Sequence, residues 1–148
     1  MEIPRRKLLE ILSRIKLFAD ISTGDKERLL APRHIIRVFH EGDSIIRVGE
    51  QDDNFYILLA GKAGIYQSEQ RVAEVAPGDF VGEVGFICGE PRTATVIADM
   101  DVIAMCLDNK AFAGIPVNLR EKIKDRLIGA LVKRVDSLNR QLAQYKAQ

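Results

Sequence analysis

The sequence has no tryptophan, only two cysteines and two histidines, no long apolar run and almost no surplus of either charge. Each scarcity removes a class of function. Cys88 and Cys106 lie far apart with no CxxC or Cys/His spacing, which argues against a disulfide framework and a structural zinc site. His34 and His40 share a face of any regular strand, but Glu41 falls on the opposite face, so no metal site is expected. No stretch approaches about 18 uninterrupted apolar residues, and the start Met-Glu-Ile-Pro-Arg-Arg-Lys lacks the apolar segment of a secretory signal. A membrane segment is therefore not expected, and a reducing, cytoplasmic compartment is. Lys and Arg number 22 against 21 Asp and Glu, a net +1, so no global field points to nucleic acid or membrane.

What is present suits one compact unit: 148 residues, 47% hydrophobic and 29% charged. Charge is uneven within it. Residues 117–148 carry eight basic side chains and three acidic ones, whereas residues 1–116 carry 14 and 18. Leu8, Leu12 and Ile15 recur at helical spacing, so residues 4–17 predict an amphipathic helix, and 25–30 a second one ended by Pro32. From His34 the pattern changes to short β-branched and aromatic runs separated by glycines. Residues 34–39, 44–47, 54–60, 64–67, 72–75, 94–98 and 101–106 read as strands of a sandwich, roll or barrel, with no βαβ unit. Residues 109–112 start a further helical piece, and 118–145 predict a long helix whose one breaker is Gly129. The chain thus divides into N-terminal helices (1–33), a β-roll (34–108) and C-terminal helices (109–148) of a single domain.

Within the long helix Ile128, Leu131, Val135, Leu138, Leu142 and Tyr145 alternate at spacings of three and four, the pattern of a coiled-coil seam. This predicts a homodimer through Ile128, Leu131, Val135, Leu138 and Leu142; the competing reading is a stripe that packs back onto its own roll. Lys133, Arg134, Arg140 and Lys146 read as a solvated face, since no aromatic side chain interleaves with them before Tyr145.

One stretch carries chemistry: Pro77-Gly78-Asp79-Phe80-Val81-Gly82-Glu83-Val84-Gly85-Phe86-Ile87-Cys88-Gly89-Glu90-Pro91-Arg92-Thr93-Ala94-Thr95-Val96. Gly82 permits a close backbone approach or a positive φ, and residues 83–87 can form one helical turn with its first N–H groups facing an anion. Arg92 offers a planar fork for phosphate oxygens, and Thr93 a hydroxyl beside it. Ionised Glu83 only accepts hydrogen bonds, so it suits a sugar hydroxyl and repels phosphate. Acid for sugar and Arg for phosphate describe a nucleotide site.

The stretch resembles the phosphate-binding cassette of cyclic nucleotide-binding domains, shared by catabolite activator-type regulators, cyclic-nucleotide-dependent kinases and cyclic-nucleotide-gated channels. Gly82-Glu83 and Pro91-Arg92-Thr93-Ala94-Thr95-Val96 stand in the family's motif positions. Glu41-Gly42-Asp43 and Gly49-Glu50 look like its early turns, the run from Phe55 to Gly61 like its central hairpin strand, and Leu17-Phe18 with Ile21 like its entry helix. The resemblance implies a mainly β fold, a β-roll of jelly-roll type with flanking helices and a long C-terminal helix. It also implies that Arg92 binds the phosphate of a cyclic nucleotide, Glu83 accepts the ribose 2′-hydroxyl, and Gly82 and Val84 supply backbone N–H groups. Thr93 stands where the family carries a residue that touches phosphate or, when it is threonine, helps hold guanine, so cAMP and cGMP both remain open. Two departures are visible: Val81 replaces the usual aromatic residue, and Gly85-Phe86 the commoner Ala-Leu.

The expected function is a non-enzymatic sensor whose ligand bridges the roll and the C-terminal helix, with Leu127 or residues 129–132 as a lid. No metal or cofactor beyond the cyclic nucleotide is implied. The alternatives are an ion pair of Glu83 with Arg92 closing a ligand-free scaffold for interaction or dimerisation, and the sensor fragment of a transcription regulator or channel. Ser, Cys and His are not arranged as a nucleophile and base, and no Walker-type loop occurs. Only three residues follow Tyr145, so a helix-turn-helix and direct DNA binding are not expected.

Overall fold

The structure, a computed structural model, describes residues 3–32 and 34–147. Helices α1 (Arg5–Ser13), α2 (Lys16–Ala19) and α3 (Thr23–Leu29) open the chain. The helix expected over residues 4–17 is therefore broken. Arg14 and Ile15 donate to carbonyls three residues back, on Ile11 and Leu12, and Ile15 is extended at φ −96° and ψ 123°. At about 100° per residue, one straight helix would turn Leu17 away from the face of Leu8, Leu12 and Ile15. The break lets Ile15, Leu17, Phe18 and Ile21 join Ile11 and Leu12 in one buried cluster. That burial outweighs a few lost helical bonds: about 1.5–3 kcal/mol for each large side chain against about 1 kcal/mol for each bond. Helix α3 starts two residues earlier than residue 25, because the Ser22 hydroxyl accepts the Asp25 N–H at 3.0 Å and caps it.

Among the described residues eight strands follow: β1 (Ile36–Phe39), β2 (Ser44–Ile46), β3 (Phe55–Ala60), β4 (Ala63–Gln67), β5 (Gln70–Val75), β6 (Phe80–Val81), β7 (Thr95–Ala98) and β8 (Val102–Leu107). All seven expected strands are present with shifted ends, and the two-residue β6 is an addition. They form two antiparallel sheets ordered β1-β8-β3-β6 and β2-β7-β4-β5. Helix α4 (Glu83–Cys88) lies between β6 and β7, and α5 (Asn109–Ala113) and α6 (Val117–Ala147) close the chain. This is the expected β-roll with flanking helices and a long C-terminal helix, although α6 makes helical residues outnumber strand residues.

Strand β3 explains its own apolar run. Phe55, Ile57 and Leu59 face the helices, whereas Tyr56 and Leu58 face the second sheet, so both sides of its pleat are buried. β8 does the same, with Met105 and Leu107 on one side and Val102, Ala104 and Cys106 on the other. The first sheet is thus a middle layer between two cores. The beginning of α6 is tied to the helical core by Leu119, Ile123 and Leu127. Beyond them Ile128, Val135, Leu138, Leu142 and Tyr145 are each more than half exposed, and Leu131 is half-buried, so the stripe is not packed on the chain's own roll. Among the described residues no helix is long and apolar enough to cross a membrane.

Candidate functional site

The turn from β6 into α4 is built on Gly82, whose φ of 80° lies in the left-handed region. A Cβ there would stand 2.8 Å from Arg92 Nη1 and 2.9 Å from the Ile46 side chain, so a larger residue would strain the backbone and displace one of them. Glu83 follows as the first residue of α4, and α4 ends at Gly89 in the same left-handed region. The chain then runs through Pro91, Arg92 and Thr93 into β7. A cavity of about 170 Å³ lies between these segments, and all five residues expected from sequence, Gly82, Glu83, Val84, Arg92 and Thr93, line it. Ile46, Ile65 and Val96 supply its apolar wall.

Arg92 is held from a loop that sequence reading did not connect to it. Its main chain pairs with the segment after β2, donating to the Glu50 carbonyl at 2.7 Å and accepting from Gly49 N at 2.8 Å. Its guanidinium, only 3% exposed, donates from Nη1 to the Gly82 carbonyl at 2.7 Å and from Nη2 to Asp52 Oδ1 at 2.5 Å and to the Asn54 carbonyl. A guanidinium has five N–H donors. Among the described residues Nε is buried with no partner, so it and one N–H of Nη1 make no hydrogen bond to the protein. A carboxylate and two carbonyls compensate the buried charge, as burial of a cation requires, while Nε stays unpartnered.

Glu83 makes no ion pair with Arg92, so the expected alternative of a Glu83–Arg92 bridge closing the loop is corrected: the partner of Arg92 is Asp52. Burial pushes the Glu83 carboxyl above its ordinary pKa, opposed by a backbone hydrogen bond and more weakly by the charges of Arg126 and Arg92. Arg126 reaches over from α6, lies 4.6 Å from the Phe80 ring centroid and donates to the Gly78 carbonyl at 3.2 Å. A second cavity of about 480 Å³ opens between α6 and the β4–β5 hairpin. It shares Ile65, Phe80 and Glu83 with the first, so Glu83 stands where the two meet.

The lid expected at Leu127 is corrected, because Leu127 is buried in the helical core. Gly129 and Ala130 line the second cavity instead, and Arg134 lines the first. Arg134 Nη2 also meets Glu90 Oε2 at 3.0 Å, a clasp between α6 and the loop after α4. Among the described residues no group of three His, Cys, Asp or Glu side chains is placed to hold a metal ion.

A sequence profile described as the cyclic nucleotide-binding domain matches residues 36–116, more than half of the chain. The chain belongs to the cyclic nucleotide-binding domain family. It is 32% identical over 111 residues to a cAMP-dependent protein kinase regulatory subunit of Debaryomyces hansenii, covering 74% of this chain and 24% of that one. It is also 32% identical over 79 residues to a cGMP-dependent protein kinase of Plasmodium berghei, covering 53% of this chain and 9% of that one. The chain spans about a quarter of the length of the kinase regulatory subunits it matches. Among solved structures it resembles a cAMP-bound PfPKA-R fragment at 25% identity and TM-score 0.67, covering 91% of this chain and 47% of that one. A cyclic nucleotide-binding domain from Methylobacillus flagellatus KT gives 25% identity and TM-score 0.64, with 89% and 78% covered.

As a cyclic nucleotide-binding domain, the chain gives its two departures a physical reading. Val81 is buried in the core between the sheets, while Phe80 packs on the other side beneath Arg126. Gly85 makes room for Arg92: a Cβ there would stand 2.6 Å from Nη1, in the space the guanidinium occupies. Sequence reading missed Asp52, Asn54, Arg126 and the clasp of Glu90 with Arg134. The turn-forming run Asp52-Asp53-Asn54 before β3 was visible, but nothing local ties it to an arginine some 40 positions away.

Proposed function

We propose that this domain binds a 3′,5′-cyclic nucleotide, cAMP or cGMP, with its phosphate in the 170 Å³ cavity and its ribose at Glu83. One observation carries the reading: the acid suited to a ribose hydroxyl stands at the junction of a small cavity faced by Arg92 and a larger one under α6. The phosphate meets Nε and the free Nη1 N–H of Arg92, the N–H groups at Gly82 and Val84, and Thr93. The purine extends into the 480 Å³ space beside Gly129, Ala130 and Lys133. Its relatives include cAMP- and cGMP-dependent kinase proteins, which supports either nucleotide. The chain acts as a sensor rather than a catalyst, because the cassette offers recognition groups and no nucleophile with its base. Its output is the position of α6: contacts to the base and to the Glu90–Arg134 clasp differ between docked and undocked states, and that difference shifts their populations.

The test is thermal unfolding of nucleotide-stripped protein. At a hundred times its Kd, a ligand that binds only the folded state stabilises it by about 2.7 kcal/mol. A clear rise in Tm with cAMP or cGMP, and none with 5′-AMP, supports the reading; no rise with either cyclic nucleotide overturns it. The exposed stripe Ile128, Val135, Leu138 and Leu142, with half-buried Leu131, supports a homodimer through α6. Sedimentation tests it: Leu138→Asp is expected to leave a monomer, and an unchanged mass would contradict it.

A further inference from the structure

Away from the cassette a cavity of about 380 Å³ opens among α3, β1, β8 and α5, and it shares no lining residue with the cassette cavity. Its size falls within the range of small-molecule pockets, about 300–1,000 Å³. Its floor is apolar: Leu29, Ile35 and Ile115 are each at most 5% exposed and belong to the helical core. Its rim is basic. Arg28, Arg37 and Lys110 line it, and the acid among them, Asp108, accepts the Ala111 N–H at 2.7 Å as the cap of α5.

The cations differ in what they already hold. Arg28 meets Asp25 at 2.5 Å. Among the described residues neither Arg37 nor Lys110 has a carboxylate within ion-pair distance. Arg37 is held instead by a neutral group, donating from Nη1 to the Tyr56 hydroxyl at 3.3 Å. That hydroxyl stays protonated and uncharged, since burial and the adjoining Cys106 push its pKa up to about 12.

An apolar floor beneath two uncompensated cations selects for a molecule with an apolar body and one anionic end. We propose that this cavity is a second ligand site, separate from the cassette, for a small carboxylic acid with an aromatic or branched apolar body. The carboxylate sits between Arg37 and Lys110, and the body lies on Leu29, Ile35 and Ile115.

The probe is 2-naphthoate, with 2-naphthalenemethanol as its uncharged counterpart, titrated into the ¹⁵N-labelled full chain by NMR. The expected result is saturable shifts at Ile35, Ala111 and Ile115 with a Kd below about 1 mM, and at least tenfold weaker binding of the alcohol. Arg37→Gln with Lys110→Gln is expected to weaken naphthoate at least tenfold and leave the alcohol unchanged. Should that pair disturb the fold, Lys110→Gln alone, at an exposed position, reads the same charge. Equal binding of acid and alcohol, no response to the variants, or shifts confined to the cassette or to α6 would overturn the proposal.

Discussion

Of the five N–H donors on Arg92, three already go to protein acceptors, and this governs what substitution there does. Asp52→Ala leaves a buried guanidinium short of its carboxylate. Because the Asp52 side chain is 39% exposed, the cost lies below that of a fully buried pair, at about 1–3 kcal/mol by urea unfolding. Once Arg92→Ala is present the same substitution is expected to cost less, since of the two bonds Asp52 Oδ1 accepts only the one from Asn54 N then remains to be lost. Glu83 gives a pH dependence of definite sign. Its raised pKa means that the folded state holds its proton more tightly than the unfolded chain. The group is therefore neutral in its effect below the ordinary carboxylate range near pH 4, and stability falls as pH rises through the window from there to the raised value. Glu83→Gln is expected to flatten that fall and to be no less stable than wild type at pH 7, while weakening cyclic nucleotide binding at least tenfold. A steeper fall in the variant, seen in denaturation at a series of pH values, would contradict this.

At the scale of elements, α6 and the β4–β5 hairpin enclose the space assigned to the purine. Ala130→Trp fills part of it from the helix side. The half-exposed position tolerates a larger side chain, so the expected outcome is an intact fold by circular dichroism with cyclic nucleotide affinity at least tenfold lower. Unchanged affinity would move the purine elsewhere. Elements differ in how legible they were. The strands declared themselves through β-branched runs cut by glycines, and β3 and β8 read clearly because both faces of each are buried. The break at Ile15 was hidden, since it follows from burying Ile15, Leu17, Phe18 and Ile21 together, a tertiary effect that local periodicity does not contain. The cassette residues were legible because they lie in one continuous stretch. Asp52, Asn54 and Arg134 were not, because their partners are 38 to 44 positions away and only the fold brings them together.

For the whole molecule, α6 connects the site to the surface. Its first turns are anchored by Leu119, Ile123 and Leu127, its middle faces both cavities, and its last turns project an unpartnered apolar stripe. A ligand that touches the middle is therefore expected to change hydrogen-exchange protection along residues 128–147 more than along 117–127. Identical protection in both states would separate binding from helix position. Everything rests on the cassette holding a cyclic nucleotide through Arg92. Calorimetric titration of nucleotide-stripped protein with cAMP and then cGMP, repeated on Arg92→Ala, measures this most directly. The expected result is one site per chain at micromolar Kd or tighter for one of the two nucleotides, lost in a variant that remains folded. No heat from either nucleotide, or equal affinity in Arg92→Ala, would contradict it.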